Sequence, residues 1–253
     1  MKILVECLCG AAFEAAPELA GGTADCPSCR RELRVPSQEW SDKYRAALAS
    51  ANSDQDGQRL DGYRSIIALG TESAVPGLMR GLQDPSRACV NACLRGLMMI
   101  APKGQEQIIE LVRKDALRVG RLVAMLREEN YAEGSDILCD WIDGSIFTQG
   151  QISEIIPLLG EMRRKRALAT LKALRRVYPN LSVLTDDALS RFPKEAGEVD
   201  DSIPDEARKV QSSAVARVQE MAESQRTAKR SGCLGMVILL LSPAAALLAW
   251  LLW

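Results

Sequence analysis

This chain of 253 residues contains no histidine. The commonest general base, and the usual partner of a serine or cysteine nucleophile, is therefore missing. Aromatic residues make up only 4% of the chain. That argues against a β-sandwich, whose strands favour β-branched and aromatic side chains, and for close-packed short helices rich in Ala and Leu. There is also no excess of charge of one sign, the formal net charge being -1. A general nucleic-acid binder is thereby disfavoured, although a local basic patch is not. The first residues, Met1-Lys2-Ile3-Leu4-Val5-Glu6, are charged too soon to open a secretory signal. With the bulk of the chain expected in the cytoplasm, its eight cysteines are expected to be reduced.

Four of these cysteines fall in two close pairs. Cys7-Leu8-Cys9-Gly10 is followed, after roughly 16 residues, by Cys26-Pro27-Ser28-Cys29. Each pair on a tight turn offers two thiolates, and two such turns close a tetrahedron around Zn²⁺. Iron, or a redox dithiol, is the alternative occupant. Ile3-Leu4-Val5 reads as a strand leading into the first turn. Leu33-Arg34-Val35 reads as a strand leaving the second, stopped by Pro36, with Gly21-Gly22 turning between the halves. So short a segment cannot build a stable core, and metal would supply much of its folding free energy. Four ligands leave no open position, so the expected site (Cys7, Cys9, Cys26, Cys29) is structural.

The run from Val5 to Pro36 resembles the small zinc-ribbon modules that open many bacterial membrane-associated proteins. It carries Cys-x-Cys-Gly, Phe13, Glu18-Leu19-Ala20-Gly21, Cys-Pro-x-Cys and a closing Val35-Pro36. It departs from that pattern at two places. The first pair is Cys-x-Cys, a tighter turn than the commoner Cys-x-x-Cys. Arg30 stands where ribbons often place a glycine, at a position that often wants positive φ.

The ribbon is read as 1–36, then a helix and linker as 37–58. Trp40, Tyr44 and Leu48 recur at i, i+4, i+8, and residues 51–58 are polar and aperiodic. From 59 to 192 apolar stripes of helical period follow one another: Ile66, Ile67 and Leu69; Leu78, Met79 and Leu82; Cys89, Cys93 and Leu97; Ile108, Leu111 and Val112; Val119, Leu122, Val123 and Leu126; Ile137, Leu138, Trp141 and Ile142; Ile152, Ile155, Ile156 and Leu159; Leu168, Leu171 and Leu174. Thr148-x-x-Gln151 is a capping box. Short helices with short breaks are the rhythm of stacked helical hairpins. Ala74-Val75-Pro76-Gly77-Leu78-Met79-Arg80-Gly81-Leu82-Gln83-Asp84-Pro85 resembles the first helix and turn of a HEAT repeat, and Ile156-Pro157-Leu158-Leu159 echoes its start. The arginine often found in the second helix would fall near Val90 and is missing. A non-repetitive helical bundle is the alternative.

Arg163-Arg164-Lys165-Arg166, with Lys172, Arg175 and Arg176, is the densest basic run. At ~100° per residue, Lys165, Lys172 and Arg176 lie opposite Leu171, Leu174 and Tyr178. The face is either a solvated outer surface or a contact for an acidic partner, anionic lipid or nucleic acid. Without interleaved aromatics, nucleic acid is the weaker of these. Cys89, Cys93 and Cys139 read as small buried residues, and Cys233 as an unmodified residue at a membrane edge.

Residues 193–203 form an acidic linker and 204–231 a stalk whose narrow stripe, Val210, Ala214, Val218 and Met221, allows self-association or a lipid-lying helix. Residues 232–253 carry no charge. About 20 apolar residues at ~1.5 Å each span the hydrocarbon core of a bilayer. Arg226, Lys229 and Arg230 precede them, which keeps the N-terminal side in the cytoplasm. The expected fold is thus mainly α: a β zinc ribbon, a HEAT-like helical domain and one C-terminal transmembrane helix. The expected role is non-catalytic, that of a membrane-tethered adaptor for protein partners, since no carboxylate pair stands in a recognisable motif. A membrane-held regulator that contacts nucleic acid or anionic lipid through the ribbon and the basic face is the alternative.

Overall fold

Residues 2–193 are described by the computed structural model. All of them except 143–145 cluster as one unit. Two small antiparallel hairpins lead the chain, β1 (Ile3–Glu6) with β2 (Ala12–Ala15) and β3 (Thr23–Asp25) with β4 (Glu32–Arg34). Their registers pair Val5 with Phe13 and Ala24 with Leu33. The hairpins share a small core of buried Ile3, Val5, Ala15 and Val35, with Phe13, Ala24 and Leu33 packed against it.

Among the described residues ten helices follow: α1 (Gln38–Ala51), α2 (Asp56–Ala68), α3 (Val75–Gly81), α4 (Arg87–Met99), α5 (Lys103–Arg113), α6 (Val119–Glu128), α7 (Ala132–Asp143), α8 (Gln149–Met162), α9 (Lys165–Val177) and α10 (Ser182–Ser190). The described fold is therefore mainly helical, with a small β region at its N-terminal end. Local chemistry marks many boundaries. Ser37 caps α1 by accepting from the Trp40 N–H at 3.2 Å. Gly70, at φ 62°, ends the turn after α2. The Thr148/Gln151 capping box opens α8, with Gln151 Oε1 accepting from the Thr148 N–H at 2.9 Å.

The even-numbered helices form one layer, in which α2 packs on α4, α4 on α6, α6 on α8 and α8 on α10. Charged groups bridge the same helices. Glu128 accepts from Arg87 and from Asn91 (2.9 Å), and Arg95 lies 3.7 Å from Glu129. Arg127 binds Glu161 at 2.7 Å, and Arg191 reaches the same Glu161 at 3.8 Å. Each exposed pair is worth at most ~1 kcal/mol. The stack is held instead by its apolar core, a single cluster that runs from Tyr44 to Ala188.

A buried ion pair fixes the start of the stack. Arg59 on α2 (side chain 12% exposed) donates to both carboxylate oxygens of Asp84 (3%), at 2.9 and 3.2 Å. Burial opposes ionisation of Asp84, but the Arg59 hydrogen bonds and the Ser86 N–H outweigh it and hold its pKa below the usual carboxylate range.

Residues 51–58 do not form the open linker that their composition implies. Ala51 is the last residue of α1, Asp56 opens α2, and the four residues between them make a tight connection. The cause is the close crossing of α1 and α2. A Cβ on Gly62 would lie 2.3 Å from the Ala51 backbone nitrogen and 2.8 Å from the Ala47 carbonyl oxygen. Gly62→Val should therefore cost about 3 kcal/mol or more, since backbone cannot move aside as a side chain can. Gly57→Val, where nothing lies within 4 Å of the added Cβ, should be nearly neutral, within about 0.5 kcal/mol, because valine is a slightly better helix former than glycine. Chemical denaturation of the two variants checks the crossing.

Among the described residues no helix is long and apolar enough to cross a membrane. The acidic linker (193–203, beyond its first residue), the stalk (204–231) and the apolar segment (232–253) lie outside the described residues.

Candidate metal centre

Two turns built alike hold the four cysteines. In the first, between β1 and β2, the Cys7 N–H donates to the Ala11 carbonyl and the Gly10 N–H donates to the Cys7 carbonyl, both at 2.9 Å. In the second, between β3 and β4, the Cys26 N–H donates to the Arg31 carbonyl and the Arg30 N–H to the Cys26 carbonyl, again at 2.9 Å. The second turn is one residue longer, as Cys-x-x-Cys requires beside Cys-x-Cys.

In both turns the residue after the second cysteine has positive φ, 90° at Gly10 and 59° at Arg30. This left-handed conformation costs a residue with a Cβ roughly 1 kcal/mol. Arg30→Gly should accordingly leave metal stoichiometry unchanged and stabilise the ribbon by at most about 1 kcal/mol, less the extra entropy of glycine in the unfolded chain. Metal-competition titration beside the wild-type chain measures it.

The turns bring the sulfurs together. Cys7 Sγ lies 3.5 Å from Cys29 Sγ, and Cys9 Sγ lies 3.6 Å from Cys26 Sγ. All four lie within 4.8 Å of one another. A disulfide would need about 2.05 Å, so these are thiols. A tetrahedron with metal–sulfur bonds of about 2.3 Å has edges of about 3.8 Å. The two close spacings lie just below that value and the others within 4.8 Å, so the four residues fit a tetrahedral ion. Cys7 and Cys26 are buried, while Cys9 and Cys29 are exposed.

Burial pushes the Cys7 thiol up to about 12. The Ala11 backbone N–H, followed by the neighbouring thiols, draws Cys9 down to about 6. Burial thus disfavours the thiolate of Cys7, while the turn amide favours that of Cys9. Such a cluster takes up a soft or borderline cation with release of protons. A tetrahedral ion held by all four sulfurs would have no position left for substrate.

The remaining cysteines of the described residues stand apart from this group. Cys89 and Cys93 are buried on α4 and Cys139 on α7. Burial raises the pKa of both Cys89 and Cys93, as expected of small core residues.

The basic face is dispersed. Lys165 opens α9 and is exposed, Lys172 is half-buried, and Arg176 is exposed in the last turn. The arginines around them are drawn into ion pairs: Arg164 with Asp136, Arg166 with Asp140 at 2.9 Å, and Arg175 with Asp186 at 2.8 Å. The face therefore has mixed charge.

Sequence reasoning missed the residues that seat the ribbon on the helices. The Leu4 N–H donates to Ser41 Oγ at 2.8 Å. The Glu6 carboxylate accepts from the Tyr44 hydroxyl at 2.7 Å and from Arg80 at 3.0 Å. Arg45 donates to the Lys2 carbonyl at 2.9 Å. The Trp40, Tyr44, Leu48 stripe announced a buried face on α1 but not what covers it. Compared with known proteins, the chain matches no family model, no curated protein and no solved structure.

Proposed function

We propose that this chain is a membrane-tethered scaffold whose N-terminal ribbon binds one structural Zn²⁺ and whose helices dock protein partners. The observation that carries the reading is the continuous layer of α2, α4, α6, α8 and α10, with the cysteine-bearing hairpins seated at its N-terminal end. A layer of this kind offers an extended surface instead of a single cleft, the binding mode of HEAT-like and other stacked-helix proteins, which the sequence resembles. The ribbon turns resemble zinc-ribbon turns in spacing, in the positive φ that ends each turn and in the mutual distances of the sulfurs. The uncharged segment 232–253, preceded by Arg226, Lys229 and Arg230, supports one C-terminal membrane anchor with the preceding domains in the cytoplasm. Nothing about the cluster calls for catalysis.

Two measurements test the proposal. Alkaline carbonate should leave the full chain in the membrane fraction and extract a chain that ends at residue 231. A photo-crosslinking residue at Met99 or Arg64, on α4 and α2 of the even layer, should form adducts that resist nuclease and are destroyed by protease. Extraction of the full chain would remove the anchor. Adducts destroyed by nuclease, or formed equally from every face, would favour the nucleic-acid alternative or remove the docking layer.

A further inference from the structure

We propose that the metal centre is also a clasp: metal bound at Cys7, Cys9, Cys26 and Cys29 fastens α1 and α3 to one another through the ribbon, so that metal occupancy sets the order of the first helices of the stack. The inference rests on the proposed zinc reading.

The first cysteine turn faces two ways. The Cys7 and Cys9 sulfurs turn to the cluster. Leu8, the residue between them, packs against the helical core and not against the ribbon's own, and Leu4 does the same. Glu6, directly before Cys7, has a side chain only 7% exposed. Its carboxylate joins Tyr44 on α1 to Arg80 on α3. Tyr44 is itself only 1% exposed. It fits there because position 77 is glycine: a Cβ would fall 2.5 Å from the tyrosine hydroxyl. Ser41, the partner of the Leu4 N–H, is wholly buried. A buried carboxylate, a buried phenol and a buried serine hydroxyl thus depend on where one short segment, Leu4 to Leu8, is held.

Apart from the sulfurs, that segment is held by its pairing with β2 and by the contacts to α1 and α3 just described. The small ribbon core is far below what a domain needs to fold alone. Without metal the turn keeps its two backbone hydrogen bonds and the packing of Leu8, but loses the bonds that tie it to the second turn. Once it drifts, Glu6 and Tyr44 lose fixed partners while still desolvated, which is costly. The helices answer by loosening α1 from α3. Linkage makes the effect reciprocal, so the docked helices must raise the ribbon's affinity for metal by the same factor by which metal favours docking.

The test uses the full chain in detergent, with zinc and with a chelator, read by amide hydrogen exchange and by competition titration of zinc. Zinc should slow exchange in α1 and α3 by about tenfold or more, while α6 to α9 change little. Tyr44→Phe, which touches no ligand, should weaken zinc binding by about tenfold, the lower end for residues that support a ligand from behind. One zinc bound per chain with unchanged exchange in α1 and α3 would overturn the clasp and leave the zinc reading standing. No zinc bound at all would overturn both.

Discussion

Leu171→Asp is expected to unfold the C-terminal part of the helical stack, with a loss of several kcal/mol. Leu171 lies in the middle of α9 and is wholly buried. Truncating a buried leucine to alanine costs 2–5 kcal/mol on its own. Aspartate adds a charge inside the apolar core cluster, and an unpaired buried charge either stays protonated or draws water into the core. Since domains of this size are stable by only about 5–15 kcal/mol, such a loss consumes a large part of the whole. Lys165→Glu is the control. Lys165 is the exposed first residue of α9, and exposed substitutions usually stay within ~0.5 kcal/mol. A carboxylate there also faces the positive end of the helix dipole. Urea denaturation followed by circular dichroism separates the two. Equal losses would show that the faces of α9 are reversed.

The α9 stripe was legible because period and burial agree: Leu168, Leu171 and Leu174 are all buried. The same holds for Cys89, Cys93 and Leu97 on α4 and for Ile152, Ile155, Ile156 and Leu159 on α8. The last helix was not legible. Tyr178-Pro179 reads as a stop, yet Pro179 begins a short 3₁₀ turn that runs directly into α10. Proline is favoured in a first helical turn, where its missing N–H costs nothing. The buried residues of α10 are Thr185 and Ala188, with Leu181 in the turn just before it, a set too weakly apolar to show as a stripe. It is small because it packs closely: a Cβ on Gly160 of α8 would lie 2.8 Å from the Ala188 Cα.

The ribbon divides in the same way. Spacing alone brought Cys7, Cys9, Cys26 and Cys29 together, because a turn of two or three residues fixes where paired thiols point. The positive φ at Arg30 was readable from the glycine that usually stands there. Docking was not readable. Glu6 meets residues 38 and 74 positions away, and no local pattern encodes such a pairing. The polar stretch 51–58 was misleading for a related reason. Small polar residues mark a flexible joint, but they equally suit a tight corner between helices that touch through Gly62.

Cys26→Ser should abolish metal binding and unfold the ribbon, while most of the helical stack survives. Serine is a poor ligand for zinc beside a thiolate, so at most three sulfurs remain, and a closed tetrahedral site needs four. Because the free energy of metal binding is largely the folding free energy of so small a unit, metal and fold should be lost together. The ribbon's hydrogen bonds run to α1 and α3, so the ellipticity of the full chain should fall only slightly, with the loss concentrated in the hairpins and in loosening of α1 and α3. Cys89→Ser/Cys93→Ser is the counterpart. It should keep one zinc per chain but lose stability, because two hydroxyls would replace two wholly buried thiols on α4. Acid should imitate the Cys26 variant in the wild-type chain. Every ligand must lose its proton to bind, so the affinity for zinc falls as pH falls and recovers as it rises. Elemental analysis of the full chain across a pH series, with both variants alongside, decides the assignment. Zinc retained by Cys26→Ser, or lost from the α4 double variant, would mean that other residues hold the metal. A stack that melts entirely with the ribbon would mean that α1 is the keystone of the whole helical core and not of its first turns alone.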